Sequence, residues 1–195
     1  LVEAEEQLNL QDMLVDGNME IDVSKGATVW HKNKLGGNVL IEYEATVVDE
    51  GGENDRSSDF NCFWMASDPN NPEDFFANSD WRGGIFWNYY ILNLYYVGLG
   101  GHDNTKTRFR KYNGSADPQP KVIREYSQTP YLIEANKKNK VQIIHFDGLI
   151  QYFFNGIKLF ELEEEKPYSE GYFGFRTVNN HMRIHSFKVF SLKAK

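Results

Sequence analysis

Cysteine is almost missing: Cys62 is alone among 195 residues, so no disulfide can form within the chain. It stands in the apolar run "FNCFWM" with no base close in sequence, which reads as a small buried hydrophobe rather than a nucleophile. Long apolar runs are missing too. No stretch approaches the ~18 residues of a membrane span. Five histidines are scattered without H-x-H or H-E-x-x-H spacing, so no metal centre or cofactor is expected from them. The acidic loop "DEGGENDRSSD" (Asp49 to Asp59) holds enough oxygen ligands for a structural calcium. It lacks the EF-hand order, and a solvated loop is the plainer expectation. Positive charge is in deficit, with 21 Lys and Arg against 28 Asp and Glu, which argues against a general nucleic-acid binder. Helical periodicity is scarce. "PEDFFAN" (Pro72 to Asn78) fits one helical turn, and "LVEAEEQLNL" fits a short helix or an extended lead-in.

Aromatics and period-2 alternation are what the chain has instead. There are 14 Phe, 11 Tyr and 4 Trp, a composition typical of β-rich proteins and of surfaces that stack on sugar rings. "NVLIEYEATVVD" places Val39, Ile41, Tyr43, Ala45 and Val47 on one face and Glu42, Glu44 and Thr46 on the other. Asp147-Gly148 and Asn155-Gly156 read as tight hairpin turns in a closing meander. About a dozen short strands with Gly, Asn and Asp turns predict an all-β sandwich of two antiparallel sheets in a single domain, 1–195. The segment 68–90, "DPNNPEDFFANSDWRGGIFWNYY", is a long aromatic insertion. It is expected to pack over one face of the sandwich as a wall or lid. Asn113-Gly-Ser matches a glycosylation sequon. The chain begins at Leu1 without Met, and a processed or trimmed precursor is the expectation, with the protein a monomer.

The hairpin "YYVGLGGHDNTKTRFRKYNG" (Tyr95 to Gly114) concentrates polar chemistry. In its second strand Lys106, Arg108, Arg110 and Tyr112 share a face, and Thr105, Thr107, Phe109 and Lys111 share the other. Three cations in a row either guard a solvated edge strand against aggregation or form a surface for an anionic ligand. Arginine suits the second role, because its planar fork holds a carboxylate bidentately. His102 sits in the turn, close in sequence to Tyr96, Asn104 and Arg108. A histidine, a tyrosine and a carboxylate neutraliser are the parts of β-elimination from a uronic acid. The opposing expectation is that Arg108 is spent in an internal pair with Glu42, Glu44 or Asp59 while His102 faces solvent.

Paired carboxylates are the rival chemistry. Asp59 is the best single candidate. Alternation through "DFNCFWMAS" puts it with Asn61, Phe63 and Met65, opposite Phe60, Cys62 and Trp64. No E-x-D-x-x-E strand motif accompanies it, and Glu163 to Glu165 reads as a solvated run.

The stretches "VQIIHFDGLIQYFFNGIKLFEL" and "GYFGFRTVNNHMRIHSFKVFSL" resemble the closing strands of bacterial concanavalin A-like jelly rolls, including laminin-G-like domains. "SDFNCFWMASDP", "PEDFF", "YYVGLGGHDNTKTRFRKYNG" and "GYFGFRTV" resemble one uncharacterised family of such sandwiches. Its members tend to be secreted and to occur beside enzymes of pectin, rhamnogalacturonan and related acidic-polysaccharide breakdown. The family pattern carries Asp59, Asn61, Trp64, Tyr96, His102, Asn104, Thr107, Arg108 and Arg110.

The resemblance implies a two-sheet jelly roll with one concave face, in a secreted, periplasmic or cell-surface protein. Polysaccharide lyases of that architecture use His, Tyr, Arg and Asn there, but their R-x-E-x-R strand is absent from this chain. The expectation is a protein acting on an acidic polysaccharide or oligosaccharide, as a lyase or hydrolase. Its catalytic candidates are His102, Tyr96, Arg108 and Asp59. Asn61, Asn104, Arg110, Arg82, Trp81, Trp87, Tyr89 and Tyr90 are candidates for substrate binding. The alternatives are a non-catalytic carbohydrate-binding module and a laminin-G-like interaction domain.

Overall fold

The structure is a computed structural model that describes residues 1–9 and 11–193. Its strands are β1 (Val2–Ala4), β2 (Leu14–Val15), β3 (Asn18–Trp30), β4 (Leu35–Gly36), β5 (Val39–Val48), β6 (Asn61–Ser67) and β7 (Asn93–Gly100). They continue with β8 (Lys106–Asn113), β9 (Val122–Tyr126), β10 (Lys138–Phe146), β11 (Leu149–Phe154), β12 (Ile157–Glu163) and β13 (Glu170–Ser191). Every pairing is antiparallel. The fold is an all-β jelly-roll sandwich.

Hydrogen bonding runs without a break in the order β12-β11-β10-β5-β13-β6-β7-β8-β9. The long strand β13 makes this possible by belonging to both layers. Its first part pairs with β6, from Tyr172 opposite Ala66 to Arg176 opposite Asn61. Its second part pairs with β5, from His181 opposite Val48 to Ser191 opposite Val39. Between the two the register with β3 slips at Val178/Asn180, and Asn179 takes a left-handed φ of 42°. Such a bulge bends a strand, and here it carries β13 from one layer to the other.

The two layers meet through alternating side chains. Ile41, Tyr43, Ala45 and Val47 of β5 are all fully buried, as the period-2 pattern requires. Trp64 of β6 lies 6.3 Å from Tyr152 of β11, and Phe109 of β8 lies 5.5 Å from Phe160 of β12, ring centre to ring centre. Cys62 faces the same interior, and burial pushes its thiol up to about 12. Met65 departs from the alternation. Its φ is 50°, the β6–β7 register slips between Trp64 and Ser67, and its side chain joins Trp64 in the core instead of sharing a face with Asn61 and Phe63.

The outer face of the β13-β6-β7-β8 layer is not bare. Phe63, Leu94, Tyr96 and Tyr112 project from it and form a second apolar cluster with Phe75, Tyr89, Tyr90 and Leu92 of the insertion. The insertion is thus a roof over half of this face. Its only α-helix is α1 (Ser79–Arg82); Pro72 to Asn78 is a chain of turns rather than a helix, and Phe86–Ile91 is a 3-10 turn. The acidic Asp68 organises the first turns, accepting from the backbone N–H of Asn70 and from the side-chain amides of Asn71 and Asn78. The N-terminal segment is an extended lead-in, with β1 paired to β3 and locked to the roof through Glu3.

Candidate functional site

The uncovered half of that face is a pocket of about 580 Å³. Its floor comes from cross-strand neighbours. Arg176 of β13 pairs with Asn61 of β6, Tyr96 of β7 with Arg110 of β8, and Gly98 with Arg108. Gly98 leaves a gap in the row, and the Tyr96 ring leans over it. A Cβ at Gly98 would lie 2.5 Å from the Tyr96 hydroxyl oxygen. Tyr96 is therefore held by packing against Phe63 and Phe86, with its hydroxyl in the pocket. Burial, reinforced by the Asp59 charge, pushes its phenol well above the ordinary tyrosine range despite Arg110 and Arg176 nearby.

The lip is the turn after β7. His102, Asp103 and Asn104 follow one another in the left-handed region, at φ of 54°, 53° and 57°. Each such non-glycine residue costs about 1–2 kcal/mol, so outside contacts must hold the turn. Asn104 supplies them: its amide donates to the Ile133 carbonyl at 2.9 Å and its carbonyl accepts from the Ile133 N–H at 2.8 Å. Asn104 is thus a brace and does not line the pocket. His102 does line it, with Nε2 2.8 Å from an Arg108 guanidinium nitrogen.

Charges around the pocket are mostly paired. Arg56 binds Asp59 at 2.5 Å and Asp103 at 2.9 Å. Both Asp59 oxygens are occupied, since Ser58 Oγ and Asn61 Nδ2 also donate to it. Lys106 and Arg108 share Glu125 of β9, at 2.7 and 2.5 Å, and these two bonds hold the Glu125 carboxyl below its ordinary range. The partner of Arg108 is therefore neither Glu42 nor Glu44, which lie on the opposite layer of the sandwich, nor Asp59. β8 is also not an edge strand, because β9 covers it.

Two lining arginines have no carboxylate partner among the described residues. Arg110 forms no ion pair and its Nε has no hydrogen-bond partner. Arg176 is only 1% exposed, and none of its three guanidinium nitrogens is hydrogen-bonded. Burial pulls its pKa down, and the charges or dipoles of Tyr89, Tyr96, Glu5 and Asp59 act against that.

The aromatic wall is Phe86, Trp87 and Tyr90. Trp87 is 68% exposed, with its ring available to a ligand. Trp81 is also exposed but lies off the pocket, its carbonyl capped by the Asn88 amide. Two expected binding residues are interior instead. Tyr89 is fully buried in the roof. Arg82 is fully buried as well, donating to Glu3 at 2.6 and 3.0 Å and to the Phe75 carbonyl at 3.0 Å. It fastens the roof and cannot reach a ligand.

Of the residues singled out in the sequence, the pocket brings together Asp59, Asn61, Trp87, Tyr90, Tyr96, His102, Arg108 and Arg110. Glu5, Arg56, Phe86, Lys106 and Arg176 are additional lining residues. Arg176 had a visible signal. In "GYFGFRTV" Phe173 and Phe175 alternate into the core, which turns Arg176 outward. Two carboxylates of the acidic loop are engaged by the loop itself: Asp55 accepts from the N–H groups of Glu50 and Gly52, and Asp49 from Ser57. Among the described residues no group of three metal-ligating side chains forms, and no helix is long and apolar enough to cross a membrane.

The antiparallel jelly-roll sandwich is a fold shared with galectin-like proteins. The chain belongs to the family described as "Domain of unknown function (DUF6250)", matched over residues 21–187. No curated protein matches it in sequence. Among solved structures it is similar to a protein of unknown function with a galectin-like fold from Bacillus subtilis, at TM-score 0.73 and 16% identity over 98% of this chain and 88% of that one. It is also similar to the carbohydrate-binding module CBM66 from Bacillus subtilis, at TM-score 0.57 and 14% identity over 88% and 86% of the two chains. A third is an endo-β-1,3-glucanase from Pyrococcus furiosus, at TM-score 0.59 and 11% identity over 93% and 77%. Identities this low establish the shared fold.

Proposed function

We propose that the pocket recognises an acidic sugar residue of a polysaccharide or oligosaccharide, and that the domain works as a carbohydrate-binding module. The observation that carries this is the joining of an exposed tryptophan wall to an arginine-rich floor in one open pocket. An aromatic face buries the C–H surface of a sugar ring, and unpaired guanidinium groups bind its carboxylate. The sugar-directed names of two of its structural neighbours are consistent with this reading. So is the resemblance to sandwiches found beside pectin-degrading enzymes, and an extracellular setting follows from such a ligand.

Binding fits the geometry better than turnover does. The carboxylates that line the pocket are Asp59 and Glu5; Asp59 is fully engaged and Glu5 accepts from the Gly26 N–H. With Asp59 tied to Arg56, Ser58 and Asn61, Glu5 alone does not make a glycosidase pair. An elimination needs a base for the proton at C5, and the His102 lone pair at Nε2 faces an Arg108 N–H. Burial raises the pKa of the Tyr96 phenol, which makes it a poorer base than a free tyrosine.

The test is titration of the protein with polygalacturonate and with a neutral galactan, alongside absorbance of unsaturated uronate. The expected result is binding of the acidic polymer, weakened at least about tenfold by Trp87→Ala, with no rise in absorbance; one stacked ring accounts for a loss of that size. Equal binding of both polymers, or none of either, would refute the acidic-sugar reading. An absorbance rise abolished by His102→Ala would replace binding with elimination.

A further inference from the structure

Two arginines are buried on the pocket side of the sandwich, and they differ completely in company. Arg82 has Glu3, Phe75 and Ser79 around it. Arg176 has no hydrogen-bond partner among the described residues although it is nearly as deeply buried, and unlike Arg82 it lines the pocket, with Glu5 and Asp59 acting on it only at a distance. An arginine cannot shed its proton in a protein, and an uncompensated buried charge costs several kcal/mol. The fold nevertheless supports the group. Its guanidinium carbon lies 5.7 Å from the centre of the Phe86 ring and 5.6 Å from that of Tyr89, both positions of cation–π attraction. The absence of a side chain at Gly26 makes room for it, since a Cβ there would stand 2.8 Å from an Arg176 terminal nitrogen. A supported, desolvated and unpaired cation in a pocket is a subsite waiting for its counter-ion.

We propose that Arg176 is the floor of a carboxylate subsite, and that the ligand places the carboxylate of one uronate residue against its guanidinium fork. This rests on the acidic-sugar reading of the pocket and specifies it. The charge count favours a single negative charge. Five cations line the pocket (Arg56, Lys106, Arg108, Arg110, Arg176), and four carboxylates stand beside them (Glu5, Asp59, Asp103, Glu125). One monoanion completes the balance. Arg176 is planar and bidentate, which matches a carboxylate. Phe86, beneath its guanidinium, adjoins Trp87 in the wall, so a sugar whose carboxylate meets Arg176 can lay its ring on that wall. The Tyr96 hydroxyl projects into the same space as a hydrogen-bond donor.

The experiment compares D-galacturonate with its methyl ester by NMR titration of the wild type, Arg176→Met and Arg176→Lys, with polygalacturonate binding and thermal melting alongside. The wild type should prefer the acid at least about tenfold. Arg176→Met should lose that preference, weaken polymer binding about thirtyfold or more, and melt no lower than wild type without ligand, because an unpaired buried charge has been replaced by an apolar chain of similar length. A purely structural arginine would lower the melting temperature instead. If Arg176→Met does not fold, Arg176→Lys decides: it keeps the cation and loses the fork, so its preference for the acid should shrink, and an undiminished preference overturns the inference. Inorganic sulfate competing as well as galacturonate would overturn the carboxylate assignment. Polygalacturonate bound equally by wild type and Arg176→Met, but lost in Trp87→Ala, would leave the pocket reading standing and remove Arg176 from it. No binding of any acidic probe to wild type would end both.

Discussion

Replacing Glu3 by Gln should unfasten the roof without changing its shape. Glu3 and Arg82 are both fully buried, and Arg82 donates to Glu3 from two nitrogens. The amide keeps the volume and one acceptor but removes the charge that compensates Arg82. Breaking a buried pair by removing one partner costs about 3–5 kcal/mol. Asp68 remains 3.9 Å from another Arg82 nitrogen and retains part of the compensation, which places the loss at the lower end, about 3 kcal/mol. That is a large part of the ~5–15 kcal/mol by which domains are stable. In urea the midpoint should fall by about 1–3 M, given slopes of about 1–3 kcal/mol per molar. The double variant Glu3→Leu with Arg82→Met should recover only part of the loss, since it removes the stranded arginine charge but leaves the buried Asp68 carboxylate without its cation. A Glu3→Gln midpoint within about 0.3 M of wild type would refute the claim that this pair holds the insertion in place.

Gly98→Ala should weaken polygalacturonate binding while leaving the unfolding free energy from urea melts within about 1 kcal/mol of wild type, because the new methyl meets the Tyr96 hydroxyl end rather than backbone; unchanged affinity, measured by titration, would show that the Tyr96 position does not matter. Cys62 should resist a thiol reagent in the native protein and react at once in denaturant, since its thiol is fully buried and pushed up to about 12; rapid native labelling would contradict the core packing. His181 should make stability depend on pH. Burial opposes its charge, but hydrogen bonds to Asp55 and Glu20 outweigh that and raise its pKa in the folded state. The sign follows from proton binding: its contribution is complete below the unfolded value of about 6.5 and is lost as pH rises through the higher folded value. Urea melts of His181→Gln should therefore lie further below wild type at pH 6 than at pH 8, and a constant difference would sink the assignment.

The parts of this fold that could be read from the sequence are those ruled by local periodicity. β5 alternates from Val39 to Val47, so its buried face is legible residue by residue up to Val48, which is buried as well. Cys62 and Trp64 turn inward for the same reason. Met65 was not readable, because a left-handed residue breaks the alternation and nothing in "CFWMAS" announces it. Arg82 looked like a ligand contact because its partner, Glu3, lies 79 residues away in the chain. Asn104 looked polar and free for a similar reason, its brace at Ile133 being 29 residues distant. Tyr89 and Trp87 are neighbours in one aromatic run, and only the turn of the 3-10 segment decides which is buried and which is exposed. The outward alternation of Arg176 is legible in the sequence, but its isolation is not, because that depends on what the neighbouring strands do not supply.

A crystal structure with an oligogalacturonate bound tests the central claim most directly. The account predicts a uronate carboxylate within hydrogen-bonding distance of the Arg176 guanidinium and a sugar ring against the Trp87 side of the wall. A ligand seated on another surface, or in the pocket with its carboxylate turned away from both Arg176 and Arg110, would contradict it.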